Sequence, residues 1–262
     1  MRRHKSRLRN ECALWAAIGS AVLLGGATAK AAVIADWTFE TSQPTTAGPL
    51  SPEIGSGSAT GSHSGASTYS SPAGNASTHS FSSTNWATGD YYQFSASSTG
   101  FQGITFSYDQ TSSNTGPGNF QLEYSTDGAV FTNVGSTTTV LANAAPNTAW
   151  NPAGTRQANF TFTSDLSGIT ALDNQATIFF RIADATTTSA NGGTTASGGT
   201  DRVDNVVISA GTTLPEPTSL AALLLGGMAL TGRRRKWRGH QHHRFGPASR
   251  YSHGRSGLGN RA

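Results

Sequence analysis

Along the middle of the chain, apolar and polar residues alternate with a period of two. Ile104, Phe106 and Tyr108 alternate in GITFSYD, Phe120, Leu122 and Tyr124 in NFQLEY, and Ile178, Phe180 and Ile182 in IFFRIAD. Similar runs cover Val33 to Phe39, Asp90 to Ser95 (DYYQFS), Phe160 with Phe162, and DRVDNVVIS at 201–209. Successive side chains of a strand point to opposite faces, so these runs predict half-buried strands. No segment of 32–214 has the i, i+3, i+4 stripe and caps of a helix. Ser125-Thr126-Asp127-Gly128, between NFQLEY and VFTNV, predicts a hairpin turn, because glycine accepts positive φ. Thr115-Gly116-Pro117-Gly118 predicts a second turn. Many short strands with Gly/Asn/Ser-rich connections predict an all-β domain, an antiparallel β-sandwich of jelly-roll type. A right-handed β-helix is the runner-up, but no fixed repeat period supports it. Residues 41–89, dense in Ser, Gly, Thr and Pro, still carry Ile54, Tyr69, Phe81 and Trp86, which predicts short strands or a packed excursion. Residues 186–200 (TTTSANGGTTASGGT) predict a flexible loop.

The ends follow different rules. Arg2, Arg3, Lys5, Arg7 and Arg9 precede an apolar run from Ala13 to Gly26, and Ala29-Lys30-Ala31 places small residues where a signal peptidase reads. Residues 1–31 therefore read as a signal peptide cleaved after Ala31, with Ala29 as the alternative. The apolar run spans only about 21 Å as a helix, short of a hydrocarbon core of about 30 Å, which argues against a retained anchor. Cys12, the only cysteine, leaves with this segment. The mature chain then has no disulfide, thiol nucleophile or thiolate metal site.

At the other end, Pro215-Glu216-Pro217 is a rigid break, Leu220 to Leu230 is apolar, and Arg233, Arg234, Arg235 and Lys236 form a basic stop. The apolar stretch is a marginal membrane span. This arrangement resembles the PEP-CTERM sorting signal of exported bacterial proteins, carried here by Pro215, Glu216, Pro217, the run from Leu220, and Arg233, Arg234 and Arg235. The resemblance implies processing by an exosortase, transient anchoring in the inner membrane through residues 219–232, and association with exopolysaccharide or biofilm. Residues 237–262 depart from the pattern, which usually stops at the arginines. They are rich in Arg, Gly and His and read as a disordered basic tail that would leave the protein tethered if it hindered the protease. SFSSTNWATGDYYQF, SYDQTSSNTGPGNFQLEYSTDGAVF and RVDNVVIS also resemble a secreted module of planctomycete PEP-CTERM proteins. Its general look is that of jelly-roll carbohydrate-binding domains.

Charge separates body from ends. Residues 33–214 hold three Arg (Arg156, Arg181, Arg202) and no Lys against twelve acids, whereas 1–32 and 215–262 are both basic. An anionic body without clustered Lys/Arg excludes nucleic acid as its partner.

Little in the body points to catalysis. His63 and His79 are its only histidines, no serine stands in a G-x-S-x-G elbow, and zinc-ligand spacings are absent. The expectation is a non-enzyme. Asp36 and Glu40 on the first strand, with Asp201, Asp204 and Asn205 on the last, are candidate ligands for a structural calcium, since terminal strands of jelly rolls are often neighbours. Trp86, Tyr91, Tyr92 and Trp150 are candidate glycan platforms. The chain thus reads as a secreted or cell-surface matrix or adhesive protein whose partners are signal peptidase, exosortase and exopolysaccharide. A carbohydrate-binding module is the alternative, and a hydrolase without a sequence signature the third reading.

Overall fold

The computed structural model describes residues 31–41 and 43–213. Most of the signal segment, Cys12, the sorting motif and the basic tail lie outside the described residues; Ala31 is the first of them.

Every run named above becomes a strand or, at Phe160, the turn leading into one. The first sheet contains β1 (Ala32–Trp37), β2 (Ile54–Gly55), β4 (Tyr69–Ser70), β5 (Phe81–Thr84), β7 (Phe101–Ser112), β10 (Thr161–Asp165) and β12 (Thr200–Thr213). Its main path is β10-β7-β12-β1-β2; β5 pairs with the first half of β12, and β4 with β5. The second sheet contains β3 (Gly57–Ser62), β6 (Tyr91–Ala96), β8 (Asn119–Ser125), β9 (Thr132–Thr139) and β11 (Ile178–Asp184), ordered β3-β6-β11-β8-β9. All strand pairs are antiparallel. From β5 onward the chain changes sheet at each connection except the β8–β9 hairpin.

The inward residues of the two sheets form one aromatic core. Phe106 of the first sheet stacks on Phe180 of the second with ring centres 4.7 Å apart. Trp37 meets Phe94 edge-on at 5.3 Å, and Phe81 meets Tyr92 at 4.9 Å. Such pairs add to burial a contribution of about 1 kcal/mol each. The two facing antiparallel sheets rule out the β-helix.

β12 contains one residue more than its partner. Asp204 pairs with Asp109 but Val207 with Ser107, so Asn205 is the extra residue of a β-bulge. It adopts φ +47°, a conformation in which asparagine is less strained than most residues. Asp201 and Val203 face the core before the bulge; Val206, Ile208 and Ala210 face it afterwards.

The Ser/Gly-rich region 41–89 holds β2 to β5, in keeping with short strands. The flexible loop expected at 186–200 is instead tied down. Gly118 N donates to Thr188 O, Ala190 N to Gly116 O and Ala196 N to Thr115 O, at 2.8 to 2.9 Å. Main-chain bonding does this without needing apolar side chains. Gly116 and Gly118 supply the close approach, since a Cβ on either would strike the main chain of Thr200 or Ser189.

Phe106 is fully buried at the centre of this packing. Phe106→Ala is expected to cost about 3–5 kcal/mol of unfolding free energy, measured by denaturant titration.

Candidate functional site

Because Tyr92, Phe94, Leu122, Phe180 and Ile182 point inward, the residues between them form the outer face of the second sheet. Register sets Arg181 on β11 beside Gln93 on β6 and Glu123 on β8. The Arg181 guanidinium lies 3.9 Å from the Tyr91 ring centre and 3.5 Å from that of Phe131. Its Nε donates to Gln93 Oε1 at 2.9 Å. Both rings are therefore at cation–π distance from one charge. Glu123 closes no described ion pair with Arg181.

The β8–β9 hairpin delivers Phe131. Ser125 Oγ accepts from Gly128 N, and Asp127 Oδ1 accepts from Ala129 N and Val130 N, each at 2.9 Å. These bonds, Val130's first, hold the Asp127 carboxyl below the usual carboxylate range. Gly128 has φ +72° and lies against the Phe179 ring, so the turn curls over the sheet face. The Asp-Gly hairpin predicted from sequence is thus present.

Of the four predicted platform aromatics, only Tyr91 is on this face. Trp86, Tyr92 and Trp150 are buried. Adjacent residues of a strand face opposite ways, so Tyr91 and Tyr92 could not both serve. Trp86 packs against His63, Tyr92 and Phe120, and Trp150 against Phe160. Arg181 and Phe131 escaped the sequence reading. The signal for Arg181 was present, since IFFRIAD places Phe179 and Arg181 at the positions alternate to the apolar ones.

The calcium prediction fares differently. β1 and β12 are indeed neighbours, with Ala32 paired to Ala210. The five residues do not form one set, however. Asp201 faces the core, where Gln110 Nε2 and Ser112 Oγ donate to its carboxyl at 3.0 and 2.8 Å. Burial pushes its pKa well up. Glu40 is exposed and accepts from His79 N. Asp204 lies on the outer face of the first sheet and accepts from Asn75 N, Ser77 Oγ, Asn205 N and Asn205 Nδ2. Its neighbour Asp109 takes a bidentate Arg156 at 2.7 and 2.8 Å, with Thr161 Oγ1, Asn75 Nδ2 and Asn205 Nδ2. Asp36 makes no described hydrogen bond to this network through its side chain; burial and then Glu53 raise its pKa, against the pull of Arg156. The cation of this network is Arg156, and protein donors already occupy the carboxylates. Among the described residues no group of three or more His, Cys, Asp or Glu side chains is placed to hold a metal. The predicted ligands do not fit calcium.

A second polar chain joins the sheets. Asp90 Oδ2 lies 3.1 Å from His63 Nδ1, His63 Nε2 lies 3.0 Å from Ser83 Oγ, and Ser83 Oγ lies 2.9 Å from Tyr92 OH. Tyr92 OH then donates to the Asp201 carbonyl at 2.9 Å. The order Asp-His-Ser is that of a hydrolytic triad, although no motif around Ser83 or His63 points to one. Ser83 is completely buried, and its hydroxyl is shared with Tyr92. A nucleophile must reach its substrate, so this geometry braces the fold. Burial lowers the His63 pKa, against the pull of Asp90.

No protein-family model matches the chain, and no curated protein matches it. Among solved structures it is similar to the K2 cleaved adhesin domain of Lys-gingipain, at 16% identity over 66% of this chain and 99% of that one, TM-score 0.39. It is similar to the carbohydrate-binding module TmCBM61 in complex with beta-1,4-galactotriose, at 9% identity over 65% and 92%, TM-score 0.35. A cellulose-specific module, CBM28, shares 14% identity over 53% and 78%, TM-score 0.27. Scores of this size mark a loose likeness.

Burial raises the Asp204 pKa from 3.8 to about 7. Between those values the folded chain holds a proton that the unfolded chain has lost, so this stabilisation is full at low pH and disappears as pH rises through about 7. Asp204→Asn fixes the group neutral. The melting temperature of the variant minus that of the wild type is expected to rise between about pH 5 and about pH 8, by thermal melts at matched ionic strength.

Proposed function

We propose that the chain is an exported, non-catalytic β-sandwich that holds polysaccharide on the outer face of its second sheet, as a structural or adhesive component of an exopolysaccharide layer. The observation that carries this reading is the Tyr91–Arg181–Phe131 grouping, two rings within 3.9 Å of one guanidinium on a half-exposed sheet face. A pyranose offers C–H-rich faces to aromatic rings and a belt of hydroxyls to polar groups. Tyr91 and Phe131 supply the rings; Arg181, Gln93 and Glu123 supply donors and acceptors. Arg181 stiffens the rings, reducing the entropy lost on binding. The alternation of strands between sheets supports the jelly-roll form of the sandwich.

The termini complete the proposal. Signal peptidase would release the chain after Ala31, and exosortase would act at Pro215-Glu216-Pro217, with residues 219–232 as the transient anchor. The basis is the sequence resemblance described above.

Two measurements test these statements. In affinity electrophoresis against a panel of neutral and acidic polysaccharides, Tyr91→Ala and Arg181→Ala are expected to weaken retardation of the full chain at least about tenfold, equivalent to about 1.4 kcal/mol. Retardation by none of the panel, or equal retardation of both variants and the wild type, would overturn the reading. Intact-mass analysis of protein recovered outside the cell is expected to give a chain starting at Ala32 and ending near Pro217. A full-length 27.1 kDa polypeptide confined within the cell would refute export.

A further inference from the structure

The opposite sheet carries a different surface. A cavity of about 560 Å³ opens on the outer face of the first sheet, lined by Ser70, Ser82, Asn114, Thr115, Asn143 and Arg202 among others. Arg202 and Ser82 are register partners on β12 and β5. No carboxylate lines the cavity.

Arg202 is poorly compensated for its position. Its guanidinium lies 5.1 Å from the Trp150 ring centre, and Nη1 donates to Ala73 O at 2.8 Å. That is its one described hydrogen bond, and the ion pairs among the described residues are His63–Asp90 and Arg156–Asp109. Asp201, the neighbour in sequence, points to the other face of β12 and is bonded there to Gln110 and Ser112. Burial disfavours the Arg202 charge and lowers its pKa, outweighing the pull of the Asp201 and Asp204 carboxyls, neither of which pairs with it directly. A planar fork of five N–H donors that spends one on a carbonyl, in a cavity of hydroxyls and amides, suits an oxyanion that presents two oxygens to it, as a carboxylate or a sulfate does. An oxyanion there would form charge-assisted bonds, roughly twice as strong as neutral ones.

We propose that this cavity is a second saccharide site, selective for a sugar that carries an oxyanion, either a uronate carboxylate or a sulfate ester. The oxyanion pairs with Arg202, while Ser70, Thr115 and Asn114 bond the sugar hydroxyls. The site does not depend on the reading of the second sheet. With both sites in use, one molecule joins two polysaccharide segments through opposite faces.

The full chain has basic ends that attract any polyanion, so short oligomers and single-site variants are the proper probes. Calorimetry with trigalacturonate, a sulfated trisaccharide and a neutral galactotriose of matched length is the test. The acidic oligomer is expected to bind, and Arg202→Gln and Asn114→Asp to weaken it tenfold or more, with melting temperature and binding of neutral polysaccharide unchanged. Asn114 is exposed and its side chain makes no described hydrogen bond, so its variant decides the matter if Arg202→Gln fails to fold. Binding of the sulfated oligomer in place of the uronate, with the same loss in both variants, upholds the site and identifies the oxyanion. Equal binding of acidic and neutral oligomers, or acidic binding that neither variant weakens, overturns it; the second result assigns the attraction to the basic ends.

Discussion

The single inserted residue in β12 is the constraint on which most of the first sheet depends. β12 pairs with β7 along its length, while its other side pairs with β5 and then β1. Its inward residues fall at odd numbers up to the bulge, Asp201 and Val203, and at even numbers after it, Val206, Ile208 and Ala210. A regular strand would turn one of these sets to the outer face. Asn205 absorbs the change of parity, and its amide reaches both Asp109 and Asp204. The same residue thus corrects the core and anchors the polar network above it.

With no thiol in the body, its rigidity comes from ring packing and from two satisfied polar networks. One lies outside the first sheet and turns on the bidentate Arg156–Asp109 pair. The other runs from Asp90 to the Asp201 carbonyl and crosses from sheet to sheet. Buried carboxylates are costly unless hydrogen-bonded, and here Asp109, Asp201 and Asp204 each accept at least two bonds. These three carboxyl groups are therefore tied into the architecture of the body.

The longer strands, such as β6, β8 and β11, were legible in the sequence because they have one buried and one wetter face, and a period of two records that directly. The parity switch in DRVDNVVIS was not legible, as Val203 and Val207 would share a face on a regular strand and nothing in the sequence marks Asn205 as an extra residue. The loop at 186–200 was misjudged because its order comes from main-chain bonds, which leave no mark on composition. Of the four aromatics only Tyr91 reaches an outer face, while Trp86, Tyr92 and Trp150 are buried, since an aromatic side chain carries no label of the face it will take. The five candidate calcium ligands are not brought together for a related reason. Asp201 and Asp204 are three apart on one strand, which places them on opposite sides of the sheet. Phe131 was out of reach, because a hairpin folded over a sheet is a long-range event.

The edge-to-centre order of the first sheet also decides how the body would bear load. Tension applied at Thr213 runs along β12, which has hydrogen-bonded neighbours on both flanks for most of its length. In antiparallel pairing those bonds lie across the direction of pull, so they resist together in shear and do not peel apart one at a time. A body held by that strand would behave as a stiff mechanical link.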